Sequence, residues 1–167
     1  MGAILSVNPT TGGPYRPRPQ VVHLSESDIT ALQKEGYNDS HGRVNWHTLF
    51  SSDRTPTSDL VAGIASCPPK PTEPGTSQGF LAHHRHTHAE LYFVLRGEAT
   101  VFVDETQYKC KAGSVVFIPG NAEHGVRNES EDEEFVWYYC FASDSFGDVK
   151  YRFTEDIKAM GKTVMAA

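Results

Sequence analysis

The sequence has little of what marks several large classes of protein. It contains only three cysteines, far apart and without a CxxC pair (Cys67, Cys110 and Cys140), so we expect reduced thiols rather than a disulfide framework or zinc knuckle. It lacks any apolar run near the roughly 20 residues that span a bilayer. Its 15 Lys and Arg are outnumbered by 21 Asp and Glu, which argues against nucleic acid as a partner because phosphate binding needs a basic face. The 167 residues therefore predict one cytoplasmic domain that binds neither nucleic acid nor membrane.

The N-terminal residues lack the basic start and the long apolar stretch of a secretory signal. Gly2 and Ser6 match the short pattern for N-myristoylation, but this pattern is common by chance and one acyl chain binds membranes only marginally. Residues 8–19 contain four prolines and two glycines, which predicts an extended segment. We therefore expect a loose N-terminal arm without a membrane role.

Secondary-structure signals predict one short helix followed by strands. Ser25 can cap a helix, Asp28 lies in its first turn and Gly36 can end it. From residue 44 onward, short apolar or alternating runs are separated by Gly, Pro, Asn and Asp, as is typical of strands. The predicted strands are Val44–Phe50, Leu60–Ser66, Phe80–His86, Glu90–Leu95, Ala99–Asp104, Ser114–Ile118, Gly125–Asn128 and Phe135–Phe141. Eight short strands with no helices between them predict an all-β sandwich or barrel.

These signals divide the chain into three parts. Residues 1–43 form the arm and short helix, residues 44–153 form the barrel, and residues 154–167 form a C-terminal tail. The tail segment Thr154–Gly161 predicts one or two helical turns that Gly161 ends.

A cluster of histidines carries the chemistry of the sequence. Four of the eight histidines fall within His83–His88, and Glu90 follows them. Side chains at i and i+2 of a strand share a face, so His84 and His86 can point into one barrel, and Glu90 can return to that face from the next strand. A fourth ligand must come from elsewhere in the chain, and His124 is the best candidate because it follows a turn just before a strand.

The spacing of these residues resembles the cupins, in particular single-domain type-2 cupins. The first cupin motif, G(x5)HxH(x3–4)E(x6)G, is matched from His84 to Gly97, and the second, G(x5)PxG(x2)H(x3)N, from Gly113 to Asn128. Two positions depart from the pattern: Gly79 is one residue too close to His84, and Asn121 replaces a glycine whose left-handed backbone Asn tolerates. The resemblance implies the cupin double-stranded β-helix, a jelly-roll barrel, over roughly residues 44–153.

The same resemblance implies a metal site formed by His84, His86, Glu90 and His124. The alternative pair His86 and His88 leaves a turn too short for the motif. Three imidazoles and one carboxylate suit one divalent transition metal per chain, with Fe(II) favoured and Mn, Ni, Co or Zn as alternatives. No cysteine lies at ligand spacing, which favours an open, chemically active site over a closed structural zinc site.

Several further residues receive expectations from strand alternation. Tyr92 shares the inward face of Glu90, where it is either a general base or a core-lining aromatic. Phe102, Trp137 and Tyr139 are expected in the pocket or core. Arg127 is expected to point outward, and Asn128 to brace the strand. His83 is expected to face away from the site, and the roles of His83, His88 and Glu123 stay open.

Three functions remain open at this stage. The first expectation is a metal-dependent oxidoreductase, an Fe(II) oxygenase or dioxygenase that acts on a small organic molecule in the barrel. The alternative is a non-redox lyase, isomerase or decarboxylase with Tyr92 as base, because the HxH…ExY arrangement also resembles cupin lyases and isomerases of the sulfoniopropionate lyase and archaeal phosphoglucose isomerase types. The second alternative is a small-molecule binding module with a structural metal. Family resemblance also implies a homodimer, in which the arm and the Val44–Phe50 strand could swap.

Overall fold

Most of the chain forms antiparallel β-strands. The computed structural model describes residues 21–72 and 75–165, and within these ranges eleven strands join in one sheet. The strands are β1 (Glu35–Asp39), β2 (Gly42–Phe50), β3 (Val61–Cys67), β4 (Phe80–Arg85), β5 (Glu90–Arg96), β6 (Glu98–Val103), β7 (Thr106–Lys111), β8 (Val115–Ile118), β9 (His124–Arg127), β10 (Phe135–Phe141) and β11 (Arg152–Phe153). Two helices, α1 (Glu26–Ala31) and α2 (Thr154–Met165), and a 3-10 turn at Phe146–Asp148 complete the described elements. The all-β class is confirmed.

The strand order winds the sheet into a nearly closed barrel. Neighbours run β7-β6-β9-β4-β2-β3-β10-β5-β8, with β1 beside β2 and β11 beside β4, and every pair is antiparallel. Strands consecutive in the chain are thus often separated in the sheet, as in a jelly roll. This winding places β4, β5 and β9 around one interior, which is where the histidine motif needs them.

Alternation along the strands separates the interior from the outer surface. On β10, the four residues Phe135, Trp137, Tyr139 and Phe141 are buried, while the three residues between them are partly exposed. On β5, Glu90, Tyr92 and Val94 are buried and the intervening side chains are exposed. The period of two assigns Glu90 and Tyr92 to the interior, as expected.

The structure corrects several predicted boundaries. The capping box at Ser25 and Asp28 is present, but α1 ends at Ala31 because the backbone of Leu32 is extended, and Gly36 lies in β1. The C-terminal helix continues past Gly161 to Met165. Strands β1, β7 and β11 were not predicted. The expectations for Gly2 and for residues 8–19 lie outside the described residues.

All three cysteines are free, as expected. Among the described residues, no helix is both long enough and apolar enough to cross a membrane.

Candidate metal centre and cavity

Four buried side chains meet inside the barrel. Ligand atoms of His84, His86 and His124 all lie within 4.8 Å of one another. The Glu90 Oε2 atom is 3.3 Å from His86 Nε2 and 3.2 Å from His124 Nε2. The four residues are at most 3% exposed. The fold therefore brings the four motif residues together as donors that could hold one metal ion.

Strand pairing places these donors. His84 on β4 is the direct cross-strand partner of His124 on β9, after a register shift between Leu81 and His84. The turn before β9 is anchored to the residue that follows β4, because the Asn121 N–H donates to the His86 carbonyl at 2.8 Å. Asn121 has a left-handed backbone with φ of 66°, which is the conformation expected where the family motif has glycine.

Each imidazole is oriented by a backbone carbonyl. The Nδ1–H of His84 donates to the Ala82 carbonyl at 2.8 Å, that of His124 to the Ala122 carbonyl at 2.9 Å, and that of His86 to the His88 carbonyl at 2.9 Å. Since a carbonyl only accepts, Nδ1 carries the proton and Nε2 keeps its lone pair. This pattern is typical of metal-ligating histidines.

The Nε2 atoms are the unusual feature of the cluster. Those of His84 and His124 are buried and have no hydrogen-bond partner among the described residues. Burial, and then repulsion from His124, lower the pKa of His84 well below its usual value, so the ring is neutral. Buried imidazole nitrogens without a hydrogen-bond partner, next to a carboxylate, fit a divalent cation, because leaving them unpaired in the interior is costly.

An aromatic cavity opens from this cluster. Its free volume is small, about 20 Å³ for the centre of a water molecule, and Glu90 lies in its wall. The other lining residues are Tyr37, Val44, Trp46, Ala65, Leu81, Tyr92, Trp137, Tyr139, Phe146 and Tyr151. Glu90 is the only charged residue among them, so the wall is otherwise aromatic and aliphatic. The expectation that Trp137 and Tyr139 lie in the pocket or core is confirmed, and Tyr92 points inward.

Two phenols lie next to the donors: Tyr92 is buried and Tyr151 is partly buried. Burial raises the pKa of Tyr92 well above its usual value, and the neighbouring Glu90 carboxylate raises it further. The same two causes raise the pKa of Tyr151, whose ring stacks on His84 at a centroid distance of 4.5 Å. Both are therefore neutral phenols. Tyr151 was missed by the sequence analysis because it follows the second motif and lies outside any predicted strand.

The side chains of His83, His88 and Glu123 are not among the clustered donors. The His83 side chain is 44% exposed, as expected for a residue facing away from the site. Glu123 contacts Arg85 and Thr154, outside the interior. His88 acts through its carbonyl on His86.

Two strand residues have structural contacts. The buried amide Nδ2 of Asn128 donates to backbone carbonyls of Cys67 at 3.0 Å and Glu133 at 2.9 Å, so Asn128 braces the strand end as expected. Phe102 was expected in the pocket or core, and this was wrong. It is only partly buried and packs against His83 and under the guanidinium of Arg127, because its strand turns it to the outer face.

Comparisons with known proteins agree with the fold and the motif. The family model of the cupin domain matches residues 72–141. The chain is 37% identical over 136 residues to the dimethylsulfoniopropionate lyase DddW of Ruegeria pomeroyi, covering 81% of this chain and 82% of that protein.

Solved structures share the barrel. A cupin-2 domain protein of Rhodospirillum rubrum superposes with a TM-score of 0.60 and 20% identity over 88% of each chain. The polyketide cyclase RemF of Streptomyces resistomycificus superposes with a TM-score of 0.61 and 13% identity over 79% of this chain and 86% of that one. With the fold, the two motifs and a relative that matches along most of its length, the chain belongs to the cupin family.

Proposed function

We propose that this protein is a metal-dependent lyase that cleaves dimethylsulfoniopropionate, or a closely similar small zwitterion, inside the barrel. The observation that carries the proposal is the position of Glu90, which belongs both to the four-donor cluster and to the wall of the aromatic cavity. The similarity to a lyase along most of the chain supports this class of reaction. The Fe(II) oxygenase expected first from the sequence has no support in the comparisons, which favour the lyase alternative.

The metal would be held by His84, His86, His124 and Glu90. These three imidazoles and one carboxylate suit one divalent transition metal, with Fe(II), Mn(II), Co(II), Ni(II) and Zn(II) all compatible. When bound, the ion supplies a Lewis acid that offsets the negative charge developing near a substrate carboxylate.

The rest of the cavity suits the opposite end of such a substrate. A sulfonium group is a cation without hydrogen-bond donors, and aromatic faces attract such cations through their quadrupoles. The walls offer the faces of Trp46, Tyr92, Trp137, Tyr139 and Tyr151. A zwitterion can thus place its cation among aromatic rings while its carboxylate is directed to the donor cluster.

Elimination needs a base and no oxidant. A base removes a proton from the carbon next to the carboxylate, the electron pair forms a carbon–carbon double bond, and the carbon–sulfur bond breaks. The products are acrylate and dimethyl sulfide, and the proton stays on the base before it is released. We assign the base to Tyr92, which is buried in the cavity wall two residues from Glu90. Its raised pKa keeps it a neutral phenol in the metal-free protein, and a nearby cation opposes that shift.

The test is a headspace assay for dimethyl sulfide, with acrylate quantified in parallel, on untagged protein loaded anaerobically with each metal in turn. We expect turnover without dioxygen, and we expect Tyr92→Phe to lower kcat by at least about a hundredfold. Tyr108→Phe, on the exposed face of β7, is the matched control and should match wild type. Absence of both products with every metal would refute the proposal.

A further inference from the structure

A line of polar groups runs from the cavity wall to the protein surface. The Tyr139 hydroxyl lies 3.3 Å from the Thr48 hydroxyl, and both residues are buried. Thr48 Oγ1 is 3.0 Å from Glu35 Oε2, and both carboxylate oxygens of Glu35 accept from the Arg54 guanidinium at 2.7 and 2.9 Å. The line links three strands, β1, β2 and β10, to the loop that carries Arg54.

A glycine makes the first link of this line geometrically possible. Gly63 on β3 is the cross-strand partner of Thr48 on one side and of Tyr139 on the other. A Cβ atom at residue 63 would lie 2.3 Å from the Tyr139 oxygen and 2.4 Å from its Cζ, far inside van der Waals contact. The Tyr139 ring therefore crosses β3 in the space that a side chain would fill, and reaches a hydroxyl two strands away.

The hydrogen-bond directions along the line follow from the charges. The Arg54 guanidinium, as the largest cause, holds the pKa of Glu35 below its usual range, so Glu35 is a carboxylate that can only accept. The Thr48 hydroxyl has a single hydrogen and donates it to Glu35. Its bond to Tyr139 must then be one in which Tyr139 donates. The Tyr139 hydrogen therefore points toward Thr48, and the lone pairs of the Tyr139 oxygen are left free by this bond.

We infer that Tyr139 is a specificity-determining residue that presents an acceptor oxygen to the cationic end of a cavity ligand, and that Glu35 and Thr48 are the positioning residues that fix this orientation. The inference rests on the proposed function, because it needs an onium ligand in the aromatic cavity. Without Thr48 as acceptor, the hydroxyl can rotate its positive hydrogen inward and the preference for a cation falls. Glu90 is the only charge in the wall, and it belongs to the donor cluster, so the orientation of a neutral hydroxyl matters at the cationic end.

The test compares two probes of the same shape. Dimethylsulfoniopropionate has a sulfonium sulfur where 4-methylpentanoate has a CH group. The preference for the cation is therefore the dissociation constant of 4-methylpentanoate divided by that of dimethylsulfoniopropionate. Both constants are measured by calorimetry on Tyr92→Phe protein, which prevents turnover. In this background we expect the ratio to fall about five- to tenfold in Thr48→Val, which keeps the side-chain shape and loses the hydroxyl. Thr48→Ser, which keeps the hydroxyl, should keep the ratio of the Tyr92→Phe parent. Tyr139→Phe should lower it equally, and combining Tyr139→Phe with Thr48→Val should lower it no further, because Thr48 acts through Tyr139.

The outcomes separate this inference from the proposed function. A wild-type protein that yields dimethyl sulfide while Thr48→Val keeps the full preference would overturn the inference and leave the lyase intact. Additive effects of Thr48→Val and Tyr139→Phe would also overturn it. A protein that releases no dimethyl sulfide but loses its preference for the sulfonium probe in Thr48→Val would refute the lyase and support the orientation of Tyr139. Thermal unfolding of each variant identifies any that is simply unfolded.

Discussion

His84 and His124 face each other across β4 and β9, with ring centroids 4.1 Å apart. The two residues come from separate sequence motifs, and the pairing of their strands makes them neighbours. A slip of one residue in this pairing would turn one of the rings to the outer surface, because successive side chains alternate between faces. The donor cluster is therefore a product of strand register.

Metal content should depend on which of two adjacent histidines is changed. We expect wild-type protein reconstituted with a divalent transition metal to hold close to one ion per chain, and His84→Ala to lower the apparent affinity by at least about tenfold, because it removes one donor. His83→Ala is the matched control, since its side chain is exposed and directed away from the donors. Elemental analysis after gel filtration gives the content, and equal losses in both variants would contradict the assignment.

Gly63→Ala should displace Tyr139. The new Cβ cannot fit beside the phenol oxygen, so either the ring or the backbone must move, at a cost of about 1–3 kcal/mol in the free energy of unfolding. Gly147→Ala is the control, because its nearest neighbour would be the Ser145 hydroxyl oxygen at an ordinary 3.5 Å. Urea unfolding of the three proteins measures the effect. A Gly63→Ala protein as stable as Gly147→Ala would mean that the ring does not occupy this space.

Glu35 should contribute pH-dependent stability. Its pKa in the folded protein is lowered from the usual 4.5, so its contribution is present at neutral pH and is lost as the pH falls below about 4.5 through the lower folded value. We expect wild type to exceed Glu35→Gln by about 1 kcal/mol at pH 7 and by little at pH 3.5. Glu105→Gln, in the exposed turn between β6 and β7, serves as control. A difference that stays constant across these pH values would show that the ion pair with Arg54 is not its source.

The homodimer stays a prediction, and the structure favours a different surface for it from the strand that the sequence suggested. Strand β2, expected to swap, already pairs with β1, β3 and β4, whereas β8 ends the strand order. Neighbouring outward side chains of β5 and β8 are large, apolar and exposed: Leu91, Phe93, Leu95, Val115 and Phe117. Stable dimers bury roughly 800 Å² per partner, and such a face supplies the apolar centre that two copies would cover.

Sedimentation of two charge-introducing variants tests this surface. Phe117→Lys places an ammonium in the centre of the apolar face and should convert a dimer to a species of 18.5 kDa. Tyr108→Lys adds the same charge to an exposed aromatic on β7, at the other end of the strand order, and should stay dimeric. Dissociation by both variants, or a wild-type monomer, would rule out the β5–β8 face as a dimer interface.

The sequence predicted those elements whose burial leaves a pattern. Strand β10 was predicted with its observed bounds, because its alternate residues are buried and most of its residues are apolar. Strand β7 was missed because Cys110 is its only buried residue, and an exposed edge strand needs no alternation. Strand β1 has no fully buried residue and contains Gly36. Its pairing with β2 could not be read from its own composition.

The donor cluster was predictable for a different reason than the cavity. Motif spacing encodes which residues lie on an inward face, so His84, His86, Glu90 and His124 were placed together. Contacts such as that between Thr48 and Tyr139 depend on the register of three strands and on an empty place at Gly63, which no local pattern records. Tyr151 reaches the donors only because β11 folds back beside β4.

The three Nδ1 bonds have an evolutionary consequence. Each imidazole is held by a main-chain carbonyl two residues away in the chain, and a carbonyl is supplied by every amino acid. Positions 82, 88 and 122 can therefore drift without losing the tautomer that keeps Nε2 free. The surrounding wall, by contrast, is built from side chains and can be rebuilt position by position. Such a division lets a lineage change the small molecule that its cavity binds while it keeps the same metal donors.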